Sequence, residues 1–184
     1  MAGEKCSFAE MHTENLGYCP NEDTVGGVKT DINYIPMAQL ATFTKPTVTA
    51  TSTYEERITI PANGIVPTTG KGFKKIQLMV EESELKNALV GNKGNKKSQA
   101  SFDAMIPNFT GKNLGFVDAH KNTPLMIVVT DSTGVKWVIP EAFIDKADAT
   151  SGKKYEDNSG VAVTITANSK VYKYAGTIEL IPDA

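Results

Sequence analysis

The chain has 184 residues, 40% of them hydrophobic and 22% charged, which bounds it to one domain, or one domain with long arms, and excludes wholesale disorder. A formal net charge of -2 gives no electrostatic footprint for wrapping nucleic acid, where a basic face is expected. No run approaches the roughly eighteen consecutive apolar residues of a membrane helix. The opening MAGEKCSFAEMHTENLGY lacks a signal peptide's apolar centre, so a chain made in a cytoplasm and starting at Met1 is expected. Cys6 and Cys19 match no zinc or redox spacing; two free thiols are expected, with an N-terminal disulfide as the alternative.

In chain order, residues 1–25 read as an N-terminal arm and 26–184 as a single β-sandwich or barrel domain with an extended loop around 44–72. GGVKTDINYIP places Val28, Thr30, Ile32 and Tyr34 on one parity, a half-buried strand. LATFTKPTVTATSTYEERITIP is rich in β-branched residues but interrupted by Pro46 and closed by Pro61, which marks an edge strand or an arm. ANGIVPTTGKG, from Ala62 to Gly72, reads as a long loop. GFKKIQLMVEES contains a strand ending near Glu82. For SELKNALVG the expectation is a helix: Ser83 as cap, Leu85 and Leu89 at i and i+4, and Gly91 at the C-terminus.

SQASFDAMIP alternates Ala100, Phe102, Ala104 and Ile106 against polar neighbours, a further strand. NLGFVDAHKN predicts a short helix with Leu114, Val117 and Lys121 along one side. The apolar run Leu125 to Val129 suits a strand buried on both faces. Asp131-Ser132-Thr133-Gly134 then supplies a tight turn, and Trp137 and Ile139 return on one parity, with Trp137 buried against Ile127 or its neighbours. GVAVTITA and KVYKYAGTIELIP predict a second hairpin. The sum is a mainly β sandwich or barrel with one or two short helices.

Each catalytic pattern fails on a named count. TTGKG, residues 68–72, has its preceding glycine, Gly64, out of register for a phosphate loop, and Gly72 stands where Ser or Thr must hold magnesium. His12 and His120 have no second ligand at i+4 and read as surface histidines. No G-x-S-x-G elbow occurs. Asp148, Glu156, Asp157 and Asn158 do not follow the calcium-loop alternation, and read as an exposed connection. Asn108-Phe109-Thr110 fits a glycosylation sequon, which has no meaning without a secretory signal. Lys71, Lys74, Lys75 and Lys93, Lys96, Lys97 lack interleaved aromatics and read as solvated rims. No enzyme activity, metal or cofactor is expected.

The order of parts over roughly residues 73–180 carries a resemblance. A strand and a short helix are followed by an L-x-G-x-x-G turn at Leu89, Gly91 and Gly94, and a further strand precedes a D-x-x-G hairpin at Asp131 and Gly134. Thr150, Gly152, Asp157 and Gly160 form a T-x-G-x-x-x-x-D-x-x-G loop, and Tyr174 and Gly176 close a final strand pair. This series resembles the tail tube (major tail) proteins of tailed bacteriophages. The resemblance implies a sandwich or barrel protomer flanked by a helix, assembled six to a ring, with rings stacked into a tube. Double-stranded DNA would pass through the lumen without specific binding, and other tail proteins would be partners. The location would be the virion tail, after synthesis in the host bacterial cytoplasm. Loops and arms would reach neighbouring subunits through Pro46, Thr47, Tyr54, Asn63, Gly64, Ile65, Val66, Pro67 and Lys71. The alternatives are another virion structural protein, such as a capsid decoration or head-tail connector, or a β-sandwich binding module. A sugar-binding module would normally display several exposed aromatics, and this chain has one Trp, set in an apolar run.

Overall fold

The computed structural model describes residues 11–17 and 26–182; Cys6 and Cys19 lie outside the described residues. The strands are β1 (Val28–Pro36), β2 (Leu40–Phe43), β3 (Thr59–Ile60), β4 (Ile65–Pro67), β5 (Lys74–Gln77), β6 (Glu84–Val90), β7 (Lys97–Pro107), β8 (Leu125–Asp131), β9 (Lys136–Thr150), β10 (Gly160–Ala167) and β11 (Tyr172–Tyr174). Among the described residues a single α-helix, α1 (Gly111–His120), links β7 to β8. The fold is mainly β, as the alternation in the sequence predicts.

The main path of the sheet runs β5-β1-β8-β9-β10-β7-β6, all antiparallel. What folds this path onto itself is β9, whose 15 residues serve two layers in turn. Its first part pairs with β8 on one edge and β11 on the other; its second part pairs with β10. Between them the register slips, and Glu141 takes a left-handed φ of 54°. A bulge of this kind bends a strand and sharpens its twist. At the far side, Met79 donates its backbone N–H to Met105 O at 2.8 Å, bringing the chain after β5 against β7.

Two apolar layers follow from this geometry. Between the facing sheets lie Ile32, Phe102, Ile106, Leu125, Ile127, Val129, Ile139, Val163 and Ile165. The opposite face of the β1-β8-β9 sheet buries Ile35, Ile60, Ile65, Phe73, Met126, Val128, Val138, Tyr172 and Tyr174. The run Leu125 to Val129 is therefore buried on both faces, and Ala100, Phe102, Ala104 and Ile106 all point inward, as predicted.

Four expectations need correction. Residues 84–90 form strand β6 rather than a helix, in register with β7 from Glu84↔Asp103 to Val90↔Lys97. The spacing of Leu85 and Leu89 fits both periods, because i and i+4 share a face in a strand as well as in a helix. Pairing to β7, through a turn with Gly91 at φ 98° and Gly94 at φ 82°, decides between them. Second, β10 and β11 do not pair with each other; they lie along successive stretches of β9, and Ser169 Oγ donates to Pro140 O across the break at 3.3 Å. Third, the segment 62–72 contains β4, which pairs with β2 (Thr42↔Val66, Phe43↔Ile65) and buries Ile65. Fourth, the strand after Gly72 ends at Gln77, not near Glu82.

The short helix forms as predicted, capped by Thr110 Oγ1, which accepts from Asn113 N at 3.2 Å. Its inward face is Phe116, Val117 and His120, whereas Leu114 and Lys121 are exposed. Tyr34 meets Phe116 edge-on at 5.1 Å and His120 at 5.6 Å, so the helix closes one side of the sandwich through an aromatic cluster.

Candidate functional site

Two surfaces stand out from the compact layers, a tethered loop and an open strand edge. The loop between β2 and β3 is held by short polar side chains. Ser52 Oγ accepts from Thr49 N at 3.0 Å, and Arg57 donates from Nε to Ser52 O at 3.2 Å and from Nη2 to Thr49 O at 3.1 Å. Thr53 and Glu56 bond reciprocally, backbone N–H to side-chain oxygen in each direction, as in a capping box. The loop is moored to β11 by Lys173 on Glu55, and to the turn before β11 by Lys170 Nζ donating to Arg57 O at 2.7 Å. Burial, and secondarily the Arg57 charge, lowers the Lys170 pKa. The N-terminal arm reaches the same loop: His12 N donates to Ala50 O at 2.9 Å, and Glu14 Oε1 accepts from Tyr54 N at 2.8 Å.

The residues proposed for subunit contact divide into two groups. Thr47, Tyr54, Asn63, Val66 and Lys71 are exposed. Pro46 and Pro67 are half-buried, and Gly64 and Ile65 are buried within the subunit. A Cβ at Gly64 would stand 2.6 Å from Ile60 Cγ2, so this glycine is fixed by close packing inside its own chain. These residues lie on one β2-β4 ribbon and the loops next to it.

Sequence reasoning missed the second surface because it read it as a helix. β6 lies at the end of the sheet path, pairing with β7 on one side only. From Lys86 through Lys97 every residue is exposed, so the β6-β7 hairpin projects beyond the sandwich. Leu89 and Val90, 67% and 41% exposed, sit on this unprotected edge. Such an edge offers a row of free N–H and C=O groups to another strand. On the outward face of the same layer the charges pair with one another: Lys86 with Glu84 at 2.6 Å and Asp103 at 3.5 Å, and Lys146 with Asp148 at 2.9 Å. Thr164 Oγ1 donates to Asp103 at 2.8 Å.

A pocket of about 430 Å³ opens on the inner side of β6, between Leu85 and Trp137, with Glu84 and Asp131 among its walls. Trp137 is half-buried, opposite Val129 rather than Ile127. Its Nε1 donates to Asp131 Oδ2 at 2.8 Å. The other oxygen of Asp131 accepts from Thr133 N, Thr133 Oγ1 and Val135 N at 2.9, 2.5 and 3.0 Å. Burial pushes the Asp131 carboxyl up, but these hydrogen bonds outweigh it and hold the pKa below the usual 3.8. Asp131 thus fixes the turn and the tryptophan together.

Among the described residues no group of three or more His, Cys, Asp or Glu side chains could hold a metal ion. His12 Nε2 lies 2.8 Å from Glu14 Oε1, and His120 sits in the aromatic cluster with its pKa lowered by burial. No protein-family model and no curated protein matches the chain. Among solved structures, the chain is similar to one in the six-fold symmetrised cryo-EM structure of the anti-feeding prophage baseplate. The TM-score is 0.33 and the identity 7%, over 83% of this chain and 93% of that one.

Proposed function

We propose that this protein is a structural component of a phage tail, building the tail tube from hexameric rings that stack around a lumen for genome delivery. Its role is mechanical, a conduit without catalysis. The observation that carries the reading is the projecting β6-β7 hairpin. Its seven-residue edge strand, Glu84–Val90, has no partner strand on one side among the described residues and exposes Leu89 and Val90. A neighbouring subunit that completes this edge removes the aggregation liability of the free strand. The order of parts between residues 73 and 180 resembles that of tail tube proteins, and that resemblance implies the six-fold ring and the tube; the short helix of that order is strand β6 in this chain. On the outward face of the β9-β10-β7-β6 layer Lys86 and Lys146 are each paired with carboxylates, which suits a wall that DNA slides past, because phosphate binding needs free cations. The β2-β4 ribbon and the moored loop beside it are assigned to contacts between subunits.

The test is negative-stain microscopy with sedimentation over a concentration series. Rings with six-fold symmetry, or tubes, are expected. A protein that remains monomeric at every concentration, with neither form on the grid, overturns the reading.

A further inference from the structure

We propose that Tyr155 of one copy seats in the pocket beside Trp137 of a second copy; the contact rests on the assembly reading above and gives that assembly a direction. Tyr155 is fully exposed at the tip of the β9-β10 loop. Backbone bonds fix how it is presented: Asp157 Oδ2 accepts from Lys153 N and Lys154 N at 2.8 Å each, and Gly152 turns the chain at φ 76°. The loop therefore holds a large aromatic side chain in water without a neighbour of its own.

The pocket offers what this side chain lacks. Trp137, Leu85, Val171 and Ile58 supply apolar walls. Ser83, which also lines it, has a buried Oγ with no hydrogen-bond partner, and a phenol hydroxyl can satisfy it. Charge agrees in order along the two segments. The acidic run Glu81, Glu82 and Glu84 leads into the pocket and is followed by Lys86; Lys153 and Lys154 precede Tyr155 and are followed by Glu156. Laid side by side in the same direction, the two segments place opposite charges together on both flanks of the aromatic.

A chain cannot make this contact with itself. Leu85 is level with Phe102, Ile165 and Ile144 across the sheet. The loop leaves β9 at Thr150, about 20 Å beyond Ile144 at a strand's rise of ~3.3 Å per residue. Donor and acceptor patches thus lie apart on one protomer. A contact between two different patches is heterologous, so it propagates into rings or stacks rather than stopping at a dimer.

The chain's only tryptophan lines the pocket, so its fluorescence reports occupancy directly. In the full-length wild type, sedimentation and Trp137 emission should shift together as concentration rises. Tyr155→Ala, which removes a side chain with no packing partner, should fold as wild type and raise the half-assembly concentration about tenfold or more, the loss typical of a central aromatic anchor. It should also abolish the emission shift. Tyr155→Phe should show a smaller loss, from the unsatisfied Ser83. Lys153→Glu combined with Lys154→Glu should weaken assembly, and Glu84→Lys in the same chain should restore it. If Tyr155→Ala assembles at wild-type concentrations with a wild-type emission shift, the contact is wrong while the tube reading stands. If the wild type stays monomeric throughout, both fall.

Discussion

Asp131 shows how one side chain can carry a local structure that looks, in sequence, like turn chemistry alone. Its carboxylate accepts four hydrogen bonds, one of them from Trp137 Nε1. Asp131→Asn puts an amide NH₂ where a second acceptor is needed, so it should destabilise the fold by about 1–3 kcal/mol. Urea unfolding at neutral pH measures this, and a loss below about 0.5 kcal/mol would contradict the role. The contribution should be present above the ordinary pKa of 3.8 and disappear as pH falls through the lowered folded value. Gly134 completes the turn at φ 93° with open space around it, so Gly134→Ala should cost about 1–2 kcal/mol from backbone strain alone. His120 acts in the same direction at higher pH. Burial among Tyr34 and Phe116 lowers its pKa below 6.5, so the unfolded chain binds the proton first. Stability should fall as pH drops from about 6.5 through the folded value and then level off. His120→Phe should remove that slope from a pH series of thermal melts; an unchanged slope would assign it elsewhere.

At the scale of elements, strands with strict alternation or continuous β-branched runs were legible in the sequence, because one period explains them. β7 and β8 are the clear cases, since each inward residue could be named beforehand. β6 was not legible: Ser83, Leu85, Leu89 and Gly91 satisfy helix rules locally, and only the register with β7 overrides them. For the same reason the hairpin edge was missing from the predicted contacts. β4 was obscured by Pro67 and by the glycines that flank it, although Ile65 anchors it beneath the β2-β4 ribbon. Deleting residues 62–70 should therefore destabilise the monomer rather than leave it intact, because Ile65 and a paired strand go with it. Ile65→Ala alone should cost about 2–4 kcal/mol. A thermal transition unchanged by either alteration would show that the ribbon is dispensable to the core.

At the scale of the molecule, the two apolar layers leave the outer part of the β6-β7 hairpin, residues 86–97, outside both, and this separation makes assembly testable independently of folding. Leu89 and Val90 belong to neither buried cluster. Replacing both with lysine should change monomer stability by no more than about 0.5 kcal/mol, the usual range for surface sites. The same change should block assembly, because charges on a free edge discourage strand pairing. Hydrogen exchange gives the sharper reading. In the dilute subunit, alternate amides between residues 84 and 90 face solvent and should exchange much faster than those of β8, where both neighbours are paired. In assembled material the residues of β6 should become protected, while β8, already closed, changes little. If assembly leaves exchange at 84–90 untouched and protects other segments instead, the hairpin is not where subunits join.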